Sequence, residues 1–184
     1  EIMPYVYENG HVLNTLLVSP PGCGKTTLLR DMIRQVSNGN IYGQGRQVAV
    51  VDERSEIAGS FMGTPQNDVG IRTDVLDGCP KVQGMMLLMR SMAPSVVAVD
   101  EIGGCEDLRA VYQILQCGSS VIATMHGSTM EDVQRHMYFS EENGLLFDRF
   151  LFLEKKQGLC RVREIIDGRQ KKVIWGLERK TCCV

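Results

Sequence analysis

The sequence predicts an α/β fold in which a mostly parallel sheet is flanked by helices and followed by antiparallel C-terminal strands. Three observations predict it. Up to about residue 138, short apolar runs alternate with segments of helical period, which calls for crossover connections and hence parallel strands. The runs are apolar throughout, as in strands buried on both faces. After Gly144, three strand-like runs follow one another with only short turns between them.

Taken in order, residues 15–18 (TLLV) form a buried strand that enters a loop at Ser19-Pro20-Pro21-Gly22. From Lys25 onward Leu28, Leu29, Met32 and Ile33 recur at helical spacing, and Asn38-Gly39-Asn40 stops the helix. Residues 47–52 (QVAVVD) are a second strand. Residues 53–79 show no clear period and are punctuated by Gly59, Gly63, Gly70 and Gly78; an irregular stretch this long is either functional or hides short elements. Pro80 opens a helix over 81–92 whose Val82, Met85, Met86 and Met89 form a core stripe. Residues 95–99 are a third strand, 106–116 a helix stopped by Cys117-Gly118, and 120–124 a fourth strand. Ser128-Thr129-Met130-Glu131 fits a capping box. Strands are expected at 149–154, 159–166 and 171–175, with turns at Gln157-Gly158 and Asp167-Gly168.

Bulk properties narrow the function classes. The 184 residues suit one domain, 1–184, with 145–184 as a β-rich extension of it. Glu1 is not a natural start, which leaves room for an upstream segment. A formal charge of −2 supplies no basic field for nucleic acid, and no nucleic-acid partner is expected. Lys155-Lys156 and Lys171-Lys172 are short clusters that read as a solvated strand end or turn. No apolar run approaches the roughly 18 residues of a membrane span. The seven cysteines are odd in number and lack C-x-x-C spacing, against a zinc site or disulfide framework and in keeping with a reducing cytosol.

The chemistry begins at residues 19–26, S-P-P-G-C-G-K-T, which nearly match the phosphate-loop pattern G-x-x-x-x-G-K-[ST]. Gly22 and Gly24 let the backbone of Pro21-Gly22-Cys23-Gly24-Lys25-Thr26-Thr27 curl so that its successive N–H groups face an anion. The helix that follows adds its N-terminal partial charge. Lys25 offers an ammonium to the β- and γ-phosphates, and Thr26 a hydroxyl to Mg²⁺. Ser19 stands where the pattern has glycine, a turn serine makes if φ stays negative. The predicted core is thus a RecA-like or AAA+-like P-loop NTPase binding ATP with Mg²⁺.

Residues 95–101 (SVVAVDE) are an apolar strand ending in two acids. Asp100 is expected to hold the Mg²⁺ and Glu101 to polarise the water that attacks the γ-phosphate. A water-activating glutamate would harm a metabolite kinase, so hydrolysis is favoured over transfer to a metabolite. Asp52-Glu53-Arg54 and Thr124-Met125-His126 close strands on the same edge, where α/β proteins bind ligands. Glu53 is expected near the γ-phosphate, and Thr124 and His126 as sensors of it. Arg54, Arg72 and Arg109 are candidates for a transition-state arginine, acting within or across subunits. His11 and His136 lack such context and read as surface or packing residues. Other readings of the same core are a recombinase-like ATPase acting on nucleic acid and a non-hydrolysing nucleotide-binding scaffold; no basic or aromatic DNA-binding loop supports the former.

The words S-P-P-G-C-G-K-T-T-L-L-R-D, V-V-D-E-R-S-E-I-A-G, A-V-D-E-I-G and A-T-M-H-G, in that order, closely resemble the stage III sporulation protein AA family. The match runs from about Asn14 to Gly127 and more loosely through F-D-R-F at 147–150. That family is similar to the secretion and pilus-retraction ATPases, whose four boxes would fall on the phosphate loop, on 52–56, on Asp100-Glu101 and on 124–126. The resemblance implies a mother-cell ATPase of endospore formation, hexameric, at the cytoplasmic face of a membrane channel to the forespore. It also implies an N-terminal domain ahead of this core.

Overall fold

The computed structural model describes residues 1–137 and 146–177. Eight strands form one sheet: β1 (Thr15–Ser19), β2 (Val48–Asp52), β3 (Thr73–Asp77), β4 (Val96–Val99), β5 (Ser120–His126), β6 (Arg149–Lys156), β7 (Leu159–Asp167) and β8 (Lys172–Gly176). Their spatial order is β8-β7-β6-β1-β5-β4-β2-β3. The six from β6 to β3 are parallel, while β7 and β8 join antiparallel. The first C-terminal strand therefore completes the parallel sheet, and the antiparallel extension begins one strand later than the sequence suggests.

Four helices flank the sheet: α1 (Lys25–Asn38), α2 (Lys81–Met92), α3 (Cys105–Gln116) and α4 (Met130–Met137). The continuous apolar runs are explained by two cores, one on each face. Leu17, Val48 and Val50 pack with Leu29, Met32, Ile33 and Val36 of α1. Leu16, Val18, Ala49 and Val51 pack instead with Met85 and Leu88 of α2, Val111 and Ile114 of α3 and Val133 of α4. Each such side chain, fully buried, contributes roughly 1.5–3 kcal/mol.

One open stretch is resolved and two sequence expectations are revised. The stretch 53–79 contains edge strand β3, whose Thr-Asp-Val-Leu-Asp is only half-buried and so carries no apolar run. Strand β5 continues two residues further, to His126. The cap of α4 lies one residue on from the expected box: the Thr129 hydroxyl accepts from the Asp132 amide (3.2 Å), and the Asp132 carboxylate accepts from the amides of Ser128 (2.8 Å) and Thr129 (3.1 Å). These amides hold the Asp132 carboxyl below its ordinary value, the Ser128 contact first among those lowering it. Cys182 and Cys183, and the side chain of His136, lie outside the described residues. The five described cysteines are free thiols. Among the described residues no helix is long and apolar enough to cross a membrane.

Candidate active site

All six parallel strands point their carboxyl ends to one edge, and the phosphate loop, Asp100, Glu101, Arg54 and His126 meet there. β1 sits directly beside β5, and β4 lies on the far side of β5. A loop leaving β1 therefore faces acids leaving β4 across the end of β5.

Gly22 and Gly24 take φ of 72° and 79°. These left-handed conformations would cost another residue roughly 1–2 kcal/mol. Ser19 stays in the strand, with its hydroxyl turned onto the Pro20 carbonyl (2.8 Å), so the missing glycine does not disturb the loop. The first turn of α1 has neither an acidic residue nor a side-chain cap. Its amides are left for an external anion. Cys23 is buried and contributes backbone alone.

The Lys25 ammonium is folded back across the loop. It donates to the carbonyls of Ser19 (2.9 Å) and Pro20 (3.2 Å) and lies 3.0 Å from Nδ1 of His126. Burial pulls its pKa below the ordinary lysine value, with Asp100, Cys23 and Glu101 opposing that shift. Because an ammonium only donates, Nδ1 of His126 is the acceptor and Nε2 carries the proton. Nε2 lies 3.0 Å from Oε1 of Glu101, and Arg54 donates to Oε2 at 3.2 Å. The His126, Glu101 and Arg54 side chains are 40–67% exposed, so the contacts among them are weak enough to be exchanged for a ligand.

Behind it lies a tighter set. The Thr26 hydroxyl donates to Oδ2 of Asp100 (2.9 Å). The Thr124 hydroxyl donates to Oδ1 of Asp100 and accepts from the Glu101 amide (2.8 Å). The Glu101 carbonyl accepts from Lys81, whose ammonium also lies 3.9 Å from Asp107. Glu101 itself is left-handed, with φ of 51°, a conformation that persists only where its surroundings enforce it. Here both its amide and its carbonyl are held.

The cleft of about 320 Å³ above the loop is lined by the loop residues, by Arg54, Glu56, Asp100, Glu101 and His126, but not by Glu53 or Thr124. Glu53 lines an adjoining cleft together with Arg54, Glu56, Lys81, Asp100 and Glu101. Thr124 is fully buried and braces the acids. Arg72 precedes β3 at the opposite edge of the sheet, where it donates to the Ser37 carbonyl (3.1 Å), and Arg109 faces solvent on α3. Of the three arginines, only Arg54 lies at this site within the chain.

Sequence reasoning missed Glu56 and Lys81. Glu56 is placed by Asp52, which is 1% exposed and accepts from the amides of Glu56 (2.9 Å), Ile57 (3.1 Å) and Ala58 (2.8 Å). Asp52→Ala would orphan three amides, so we expect a loss of about 3 kcal/mol in urea unfolding. Asp52→Asn, which keeps one acceptor oxygen, should lose less.

A metal would meet two protein oxygens here, from Thr26 and Asp100. No group of three or more metal-binding side chains occurs among the described residues. This sparse oxygen set fits Mg²⁺, which takes its other ligands from phosphate and water.

The family model described as "Sporulation stage III, protein AA" matches residues 1–173. This chain belongs to that family. Stage III sporulation protein AA of Bacillus subtilis (strain 168) is 45% identical over 169 residues, covering 90% of this chain and 54% of the relative. The chain thus spans about half the length of that curated relative. The ATPase DotB of Legionella pneumophila has the same fold, with TM-score 0.64 and 17% identity over 90% of this chain and 47% of DotB. The pilus retraction motor PilT, solved with bound ADP, gives TM-score 0.60 and 14% identity over 84% of this chain and 47% of PilT. The chain therefore shares the fold of DotB and PilT, a mostly parallel sheet with antiparallel C-terminal strands.

Proposed function

We propose that this chain binds ATP with Mg²⁺ and hydrolyses it to ADP and phosphate. One observation carries the reading: an uncapped helix N-terminus and a buried lysine share a cleft with two acids, one beside the Thr26 hydroxyl and the other fixed in a left-handed backbone. Amides of 22–27 and the Lys25 ammonium bind the triphosphate. Thr26 and Asp100 would hold Mg²⁺, which when bound would supply neutralisation of phosphate charge. Glu101 orients a water and takes its proton as the water oxygen bonds the γ-phosphorus and the bond to the β-phosphate oxygen breaks. Lys25 leaves the Ser19 and Pro20 carbonyls for the phosphates, and His126, losing that partner, reports the γ-phosphate to Glu101. Arg54 exchanges Glu101 for phosphate charge.

In the whole protein we propose a homo-hexameric motor of endospore formation. It works in the mother-cell cytoplasm, peripheral to a membrane channel and bound to that channel's proteins. Family membership and the fold shared with a pilus retraction motor support this reading. The Arg72 or Arg109 of a neighbouring subunit would complete its site. The test is ATPase rate against concentration of the full-length protein with Mg²⁺. Turnover per subunit should rise steeply as subunits assemble. Absence of Mg²⁺-dependent turnover at every concentration would reduce the chain to a nucleotide-binding scaffold.

Lys81 acts in this scheme by holding the Glu101 carbonyl. Lys81→Met keeps the stem and removes the ammonium. We expect kcat to fall about tenfold with KM for ATP nearly unchanged, the pattern of an interaction needed for the chemical step rather than for binding.

A further inference from the structure

The phosphate loop has a second wall that the acids do not supply. The hairpin of β6 and β7 turns at Gln157-Gly158, both with positive φ (52° and 81°), as a tight two-residue turn requires. β6 runs parallel to β1, and its last pair with β1 is Phe152 with Val18. Residues 153–156 therefore rise past the end of β1, alongside the loop. Cys160, on the returning strand, touches it: its Sγ lies 3.8 Å from the Gly22 carbonyl oxygen, and a Cβ on Gly24 would stand 3.2 Å from its Cβ. Lys155 is the cross-strand partner of Cys160. Directly opposed residues share one face of a hairpin, so Lys155 projects on the face that meets the loop. Its neighbours Glu154 and Arg161 are paired with each other at 2.6 Å. Lys155 itself makes no ion pair among the described residues.

Strand order gives this wall its ligand. Asp100, Glu101 and His126 lie on the β5–β4 side of β1 and claim the γ-phosphate end. β6 lies on the other side of β1. A linear triphosphate threaded through the loop with its γ end at the acids must deliver its α-phosphate and nucleoside toward the hairpin. We infer that the β6–β7 hairpin tip is the nucleoside-side wall of the site, with Lys155 the cation that contacts the α-phosphate. The inference rests on the nucleotide reading of the phosphate loop.

Cys160 makes it measurable. In the full-length protein, its alkylation by N-ethylmaleimide is followed by peptide mass spectrometry alone, with ADP, and with inorganic tripolyphosphate. Cys117, exposed at the opposite edge of the sheet, is the internal control. ADP should slow Cys160 about tenfold or more, as expected of a covered thiol. Tripolyphosphate, lacking a nucleoside, should leave it much closer to the free rate, and Cys117 should not change. Lys155→Ala should weaken ADP binding about tenfold, and Lys155→Arg should retain it. If ADP binds yet leaves Cys160 as reactive as before, the wall is wrong while the phosphate loop stands. If ADP affinity is the same in Lys155→Ala, the role given to Lys155 is wrong. If neither ADP nor tripolyphosphate binds, the nucleotide reading itself fails and takes the inference with it.

Discussion

Glu101→Gln should bind ATP as the parent does and hydrolyse it at least 10²-fold more slowly, the scale on which positioned general bases act. The expectation follows from how the residue is held. Its amide is fixed by Thr124 and its carbonyl by Lys81, so exchanging a carboxylate for an amide leaves the left-handed backbone in place. The glutamine keeps one acceptor oxygen, enough for Arg54 or His126 but not for both, because the two contacts fall on different carboxylate oxygens. What it cannot do is take a proton from water. Binding, made by the loop and Lys25, should be untouched, so ADP and ATP titrations of parent and variant should overlay while single-turnover hydrolysis collapses. A variant that turns over ATP at the parental rate in the assembled protein would remove Glu101 from the chemistry. His126 or Glu56, the other proton-accepting groups on the cleft, would then be the next candidates.

The structure shows why some of this site was readable and some was not. Gly22, Gly24, Lys25 and Thr26 are contiguous, and their chemistry depends on local backbone shape that residue types dictate. Asp100-Glu101 is equally local, since a buried strand must end where its acids begin. Strand β3 escaped because an edge strand packs on one side only, and Thr73, Asp74 and Asp77 are compatible with solvent. Glu56 escaped for a different reason. It reaches the cleft through a turn pinned by the Asp52 carboxylate four residues earlier, and no periodicity records a side chain gripping its own loop. Thr124 and Glu53 were placed by strand-end position alone, which fixes the edge but not which side chains face the cleft. The β6–β7 hairpin was readable from its two strands and the Gln157-Gly158 turn, but its register shift between Phe152 and Leu153 and the parallel pairing of β6 with a strand more than a hundred residues away lie beyond any local signal.

Lys25→Ala should abolish nucleotide binding, with affinity falling 10²-fold or more, because it removes charge-assisted bonds to two phosphates from a shielded site. The fold should survive, since the buried Ser19 carbonyl also accepts from the Gly127 amide (3.3 Å) and the Pro20 carbonyl from the Ser19 hydroxyl (2.8 Å), so neither is orphaned when the ammonium goes. The same lysine gives a pH signature that a merely structural residue would lack. Burial sets its pKa in the free protein below the ordinary lysine value, so its charge is lost earlier on the alkaline side. A bound triphosphate adds negative charge beside it and raises that pKa. Between the free and bound values binding must therefore take up a proton, and affinity must fall as pH rises through that window. Titration calorimetry of ADP in alkaline buffers of differing ionisation enthalpy reads the proton directly. Uptake that persists in a binding-competent Lys25→Arg variant would assign the proton to another group, because an arginine does not titrate there.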